Sequence, residues 1–365
     1  MKIAIYHNLQ PGGALNYMKN IIKYLSLKNS IDIYSFQKTT INNQKNIKQY
    51  IYHLNKTNNI IQHLLQIAIE LKNKNKMIAK KINSYDKYDL VLIYPCLITQ
   101  SPYLLRYLNY NKTNVIYMFM ETKREFYEKT TYDHYSIKRI IARIIRHPIK
   151  LIDLANCKRS KNIVSLSYFS SNQIKNIYKK DAYVIHPGIQ NIKPIAKSKI
   201  NNQQYVSVGT LSKIKGHDFS MNQIKKNSGK LLIIGKNNPN ENLRIKSNNA
   251  KIQQIKNNKI VKKLIKEASF YLANQINEPF GLSTLEASSL GAYTLGKNEG
   301  GTPEIIRHGL NGFLYPNNIT IGIKIANKYQ KTNQLRYLKT CKINWEKTTD
   351  NLLTLYHHLK NEPTE

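Results

Sequence analysis

Two carboxylates eight positions apart, Glu278 and Glu286, bracket the part of this chain with the most evident chemistry. The run from Glu278 to Gly291 reads EPFGLSTLEASSLG and follows FYLANQ, an apolar stretch with the composition of a buried strand. The pattern predicts a strand, a loop carrying Glu278, Pro279, Phe280 and Gly281, and a helix from about Leu282 to Leu290 that Gly291 stops. The first turn of such a helix leaves backbone N–H groups unpaired, here those of Leu282 and Ser283, at the positive end of the helix dipole. That combination suits a phosphate group. Gly281 lets a ligand come close to the backbone. Carboxylates do not bind phosphate; they accept hydrogen bonds from hydroxyls. A diphosphate with a sugar on one side and a ribose on the other satisfies both halves of the segment.

Upstream, GTLSKIKG (residues 209–216) follows the strand candidate YVSV and offers a second glycine-bounded loop, with Gly209 and Gly216 at its ends and Lys213 and Lys215 within. Taken together these stretches resemble retaining glycosyltransferase family 4, the group 1 glycosyltransferases. The resemblance rests on Glu278-x7-Glu286 with Pro-Phe-Gly after the first glutamate, on Gly300-Gly301-Thr302-Pro303-Glu304-Ile305, and on Gly309-x-x-Gly312-Phe313, three motifs in order. It also rests on the 209–216 loop, similar to a diphosphate-binding loop of the form Gly-Arg-Leu, three residues, Lys-Gly. Lys215 falls on the expected lysine, whereas Thr210 stands in the arginine position and Lys213 is the substitute cation, without arginine's fork.

The resemblance implies the GT-B architecture and transfer of a hexose, with mannose or glucose the family-weighted guess, from a UDP- or GDP-linked donor to a glycan or lipid-linked acceptor. Glu278 would contact hydroxyls of the transferred sugar and Glu286 the ribose. Lys215, with Lys213, and the helix N-terminus would neutralise the leaving diphosphate. The donor set is then Gly12, Gly13, Gly209, Lys213, Gly216, Phe280, Gly281, Leu282, Ser283 and Glu286, with Glu278 and Lys215 catalytic. Gly12 and Gly13, in the turn QPGGA after the first strand, are similar to the family's first loop over the donor phosphates, although a Gly-Gly turn alone is a common feature. On the acceptor side, YMFMETKR (117–124) resembles a His-Glu-Pro-Pro-Arg motif that keeps Glu121 and Arg124 but has Met120 in place of the histidine. The ten histidines include no pair with metal-ligand spacing, so neither a catalytic metal nor a cofactor beyond the substrate is expected.

What must position these loops is a pair of sheets. Short apolar runs alternate with longer amphipathic stretches throughout, the pattern of parallel α/β structure. The first half offers strands at Ile3–Tyr6, Ile31–Ser35, Leu90–Tyr94, Val115–Phe119, Ile163–Leu166 and Tyr183–Ile185. The pattern restarts at Tyr205–Val208, Leu231–Ile234, Ile252–Ile255, Phe270–Ala273, Tyr293–Leu295 and Phe313–Tyr315. The fold expected is therefore α/β, two Rossmann-like doubly wound domains facing one cleft: residues 1–190 on the acceptor side, a polar linker at 191–202, a nucleotide-sugar-binding domain at 203–333, and a helical segment at 334–365 that packs back toward the first domain. Residues 37–83, with many lysines, read as one or two solvated helices.

The formal charge of +36 has two explanations, a polyanion partner or the drift of lysine into exposed positions of a chain also heavy in Asn, Ile and Tyr. No alternating aromatic and basic platform supports a nucleic-acid partner. Residues 137–146, IKRIIARIIR, are more specific: on a helix Ile137, Ile140, Ile141, Ile144 and Ile145 share one face and Lys138, Arg139, Arg143 and Arg146 the other. Such a helix either lies on an anionic membrane surface or buries its isoleucines in a domain core. No signal-peptide core and no spanning stretch is visible, and three scattered cysteines suit a reducing compartment. The expected location is cytoplasmic, peripheral on the inner face of the membrane if that helix binds it. The competing reading is a GT-B scaffold without activity, or a basic protein that binds nucleic acid or membrane.

Overall fold

The computed structural model describes residues 1–41, 45–84, 88–128, 137–190, 201–226, 229–238, 248–316, 319–320, 322–324 and 343–361. The chain divides into two units, one formed by Met1–Gly188 with Trp345–Glu365 and the other by Ile189–Asn344. The second unit is thus inserted into the first. Its two ends are fastened side by side, where Ile189 and Asn344 form a parallel bridge and the Ile189 N–H donates to the Ile343 carbonyl at 3.0 Å.

The first unit holds a seven-stranded sheet: β1 (Lys2–Asn8), β2 (Ser30–Ser35), β3 (Ile47–Ile51), β4 (Leu90–Cys96), β5 (Asn114–Phe119), β6 (Asn162–Ser165) and β7 (Tyr183–Val184). Their order is β3-β2-β1-β4-β5-β6-β7, all parallel, with β1 against β2 from Lys2↔Ser30 and against β4 from Ile3↔Leu90. The second unit repeats the plan with β8 (Asn201–Val208), β9 (Lys230–Ile234), β10 (Ala250–Gln253), β11 (Ala268–Ala273), β12 (Thr294–Lys297) and β13 (Gly312–Tyr315), ordered β10-β9-β8-β11-β12-β13. In each sheet the winding reverses once, between β1 and β4 and between β8 and β11. In doubly wound sheets the loops leaving the carboxyl ends of those two strands frame a crevice.

Parallel strands covered on both faces read as unbroken apolar runs, and β4 and β11 are buried at every residue. In the second unit alternate residues feed two cores. Tyr205, Leu231, Ile233, Phe270 and Leu272 point to one face, and Val206, Leu232, Ile234, Tyr271 and Ala273 to the other. The helices that cover the sheets, in chain order, include α1 (Gly13–Leu25), α2 (Ile60–Leu65), α3 (Lys72–Asn83), α4 (Arg124–Tyr127), α5 (Ile137–Cys157), α6 (Tyr168–Tyr178), α7 (His217–Lys226), α8 (Asn258–Glu267), α9 (Leu282–Ser289) and α10 (Thr302–Ile305). The closing helix Trp345–Asn361 buries Trp345, Leu352, Leu355 and Tyr356 in the first unit. Its Trp345 ring meets Tyr17 edge-on at 5.3 Å, and Thr348 donates to the His186 carbonyl at 3.0 Å.

Residues 37–83 depart from the expectation of solvated helices. They contribute the edge strand β3, in register with β2 from Ile31↔Ile47. Its sequence, IKQYI, carries too few apolar residues to announce a strand, because an edge strand covers little. Gln49 secures it by accepting from the Thr39 N–H and donating to the Thr39 carbonyl, and Tyr50 stacks on Tyr34 with 5.0 Å between centroids. The helical remainder is not wholly solvated either: a π-helical stretch, Gln66–Leu71, joins α2 to α3, and Ile67, Leu71, Ile78 and Ile82 enter the core. Of the linker expected at 191–202, residues 201–202 open β8 and 191–200 lie outside the described residues, as do the start of the helical segment at 334–342, Cys341 and the side chains of 137–143. Cys96 and Cys157 are free and buried.

Candidate functional site

The loops after β8 and β11, neighbours at the point where the second sheet reverses, bring the two residue clusters together. Lys215 Nζ donates to Glu278 Oε2 at 2.8 Å, with the two side chains 23% and 17% exposed. Two residues far apart in sequence therefore form one charged centre in a low-dielectric rim, where a charge pair counts for more than in open water.

Main-chain contacts hold that centre. The Ile276 N–H donates to the Ile214 carbonyl at 2.8 Å, tying loop to loop. Gly216 sits at φ +67°, and a Cβ there would lie 1.9 Å from the Asn274 carbonyl oxygen, so no other residue fits. Gly235, at the end of β9, approaches Gly209 in the same way: a Cβ would stand 1.8 Å from the Gly209 carbonyl oxygen. The stem of Lys215 lies across Gly209, and His217, fully buried at the start of α7, has Nε2 3.2 Å from the Thr210 carbonyl. Burial pushes the His217 pKa down, and the Thr210 and Gly209 carbonyls partly offset that. Thr210 and Lys213 are exposed.

On the β11 side, Gly300 and Gly301 back the Glu278 loop. Gly301 donates its N–H to the Glu278 carbonyl at 2.7 Å, and its own Cβ would meet the Phe280 backbone at 2.6 Å. Phe280 is buried and anchors the loop. Gly281, at φ +101°, turns the chain into α9, whose Leu285 N–H returns to the Gly281 carbonyl at 2.9 Å. No side chain caps this N-terminus, and Leu282 and Ser283 are part-exposed there. Glu286 lies further along α9, and Lys262 of α8 reaches it at 3.4 Å. Four buried polar atoms beside these loops, Asn274 Oδ1, Gln275 Oε1, Thr284 Oγ1 and His217 Nδ1, have no hydrogen-bond partner among the described residues.

The first unit carries the rest of the anticipated residues. Gly12 and Gly13 are exposed at the start of α1, after β1; Gly12 is extended, with φ 168°, so its backbone does not demand glycine. Glu121 and Arg124 follow β5 and pair at 3.8 Å, and Arg124 also reaches Glu128 at 3.8 Å. Met120 is buried at the strand end. Lys123 donates to the carbonyls of Ile98 at 2.6 Å and Leu97 at 3.1 Å, which fastens this loop to the one leaving β4.

Sequence reasoning passed over His217, Gly235 and Lys262. Only His217 left a signal, as the residue directly after Lys215-Gly216. Among the described residues no three His, Cys, Asp or Glu side chains are grouped so as to hold a metal ion.

A lysine and a glutamate are thus paired at a sheet reversal, beside an uncapped helix start. Residues 188–322 match the group 1 glycosyl transferases. The matched segment spans the second unit's strands and every loop of the charged centre. No curated protein sequence matches the chain. Solved structures match it over nearly its whole length: a sucrose-phosphate synthase from Thermosynechococcus elongatus has a TM-score of 0.75 at 14% identity, covering 98% of this chain and 99% of that one. HepE from Anabaena, in complex with UDP and glucose, has a TM-score of 0.66 at 17% identity, covering 99% and 98%. The lipopolysaccharide outer core galactosyltransferase WaaB has a TM-score of 0.64 at 15% identity, covering 97% and 99%. The fold is accordingly of the GT-B type, two parallel-sheet α/β domains.

Proposed function

We propose that this protein is a retaining glycosyltransferase that moves a hexose from a UDP- or GDP-linked donor to a hydroxyl of a glycan or lipid-linked acceptor. The observation that carries the reading is the Lys215–Glu278 pair at 2.8 Å beside the uncapped start of α9, inside the segment that matches the group 1 glycosyl transferases. In this reading the donor diphosphate takes Glu278's place as the partner of Lys215. Charge that develops on the leaving oxygen meets the ammonium and the N–H groups of Leu282 and Ser283. Glu278, released from the lysine, accepts hydrogen bonds from the sugar hydroxyls, and Glu286, oriented by Lys262, accepts from the ribose. Lys213 adds a second cation on the exposed edge of the loop. Front-face attack, in which the departing phosphate helps deprotonate the acceptor, needs no protein nucleophile and agrees with both glutamates having hydroxyl-binding roles.

The test is a panel of UDP- and GDP-sugars scored by thermal shift and by slow donor hydrolysis. A bound donor raises stability by mass action, by about 2.7 kcal/mol at a hundred times Kd. One donor should stabilise the wild type and be hydrolysed, and Glu278→Ala and Glu286→Ala should each remove both responses. If no sugar nucleotide shifts the wild type, the chain is a GT-B scaffold and the enzyme reading fails.

A further inference from the structure

Helix α5 carries apolar residues on both its buried and its exposed side. Over its described part the buried face holds Asp153 and Asn156 beside Ile149 and Cys157, while the solvent face centres on Ile144, Pro148, Leu151 and Ala155. These last four recur at i, i+4, i+7 and i+11, so they form one stripe along the helix. Ile144 is 68% exposed and Leu151 52%. A domain helix normally sets its apolar stripe against the core. Here α5 does so with Ile149, Ile152 and Cys157 yet keeps a second apolar stripe in solvent, and the polar residues among its buried side chains are engaged. Asp153 accepts from the Ser101 N–H at 2.9 Å, from Tyr127 at 2.6 Å and from Tyr178 at 2.8 Å, and Asn156 donates to the Ser101 carbonyl at 2.7 Å and accepts from Arg106. These bonds fix the helix's rotation about its axis, so the apolar stripe cannot roll inward without breaking them.

The charged side chains that α5 and the turn after it expose are all cationic. Between residues 144 and 161 the ionisable side chains at the surface are Arg146, His147, Lys150, Lys158, Arg159 and Lys161, and the single acidic residue, Asp153, is buried. Glu125 engages Arg146 at 2.6 Å, and Lys150 lies 5.1 Å from the centroid of the Tyr127 ring.

We infer that the outward face of α5 docks on an anionic lipid surface, the stripe of Ile144, Pro148 and Leu151 entering the headgroup boundary and the flanking cations meeting lipid phosphates. An apolar stripe rimmed with cations is complementary to a surface that is negative outside and apolar beneath. A second copy of the chain would bring an identical cationic rim, on a molecule of formal charge +36. Among the described residues no helix is long and apolar enough to cross a membrane, so the contact is interfacial and reversible.

The experiment is co-sedimentation of the full chain with phosphatidylcholine vesicles that contain or lack phosphatidylglycerol. The wild type should sediment with the anionic vesicles only. The pair Ile144→Asn with Leu151→Asn should lower partitioning about tenfold or more, and Lys158→Glu with Arg159→Glu should also lower it, each with an unchanged circular dichroism spectrum. Lys259→Glu with Lys263→Glu makes the same charge change on exposed lysines of the other unit and should leave binding nearly intact. Failure of the wild type to sediment with anionic vesicles, or an equal loss in the Lys259/Lys263 control, overturns the inference. A concentration-dependent dimer that the Ile144/Leu151 pair abolishes overturns it too, and assigns the face to self-association.

Discussion

Replacing Gly300 with alanine separates two costs that glycine usually hides together. Gly300 and Gly309 both have left-handed backbone, at φ +63° and +81°. An added methyl at Gly309 meets nothing within 4 Å, whereas at Gly300 it would stand 2.7 Å from both the N and O of Glu278. Gly309→Ala therefore bears the conformational cost alone, about 1 kcal/mol. Gly300→Ala bears the same cost and an overlap several tenths of an ångström inside ordinary contact, with backbone atoms that cannot rotate away. Overpacking of this kind adds about 1–3 kcal/mol. The displaced atoms belong to Glu278, so the Lys215–Glu278 pair should be disturbed as well. Urea denaturation followed by far-ultraviolet circular dichroism is the appropriate assay, because the single tryptophan, Trp345, lies in the first unit and does not report on the second. Gly300→Ala should be the less stable variant by about 1–3 kcal/mol and should lose the donor-induced thermal shift that Gly309→Ala keeps. Equal stabilities, with donor response intact in both, would refute the claim that backbone contact with Gly300 sets the position of Glu278.

Three further outcomes follow from other parts of the structure. His7 is buried, with Nε2 2.7 Å from Thr39 Oγ1, and desolvation lowers its pKa from 6.5 to about 4. As pH falls below 6.5 the unfolded chain takes up a proton that the folded ring refuses until about pH 4, so stability falls through that window, by about 3 kcal/mol in all. His7→Gln should flatten that part of the stability–pH curve; an unaltered slope would show that the ring does not stay neutral. For Lys215→Met and Glu278→Gln, a double-mutant cycle on unfolding free energy should return a coupling of about 1–2 kcal/mol, given a pair only partly buried. A coupling within error of zero would mean that the ion pair does not persist in solution. Asp153→Ala leaves the Ser101 N–H and two tyrosine hydroxyls without their acceptor and should cost about 3 kcal/mol in denaturation midpoint analysis; a loss below about 1 kcal/mol would show that those donors find other partners.

Strands buried on both faces were easy to read, because each needs a short run such as LVLIY or FYLA that no exposed element would carry. The helix start at Leu282 was equally legible, since Gly281 before it and Gly291 after it punctuate the chain. The strand β3 was not. An edge strand draws its stability from one neighbour and a few side chains, here Gln49 and Tyr50, and those leave no periodic trace. Nor does composition distinguish Lys262, which reaches Glu286, from the other lysines of α8. The rotation of α5 was not legible for a different reason. Periodicity tells which residues share a face but not which face turns inward, and the decision fell to Asp153 and Asn156, whose partners at Ser101, Arg106, Tyr127 and Tyr178 lie far off in sequence.

The paired crossing at Ile189 and Asn344 bears on how the molecule responds to being cut. Because the second unit is an insertion whose entry and exit lie side by side, the chain's last helix belongs to the first unit and is held there by Trp345, Leu352 and Leu355. A single proteolytic nick between residues 191 and 200 would sever the entry connection only. The carboxyl-terminal fragment would still be clasped to the amino-terminal one by its own terminal helix, so the nicked protein should travel as a single species until it is denatured.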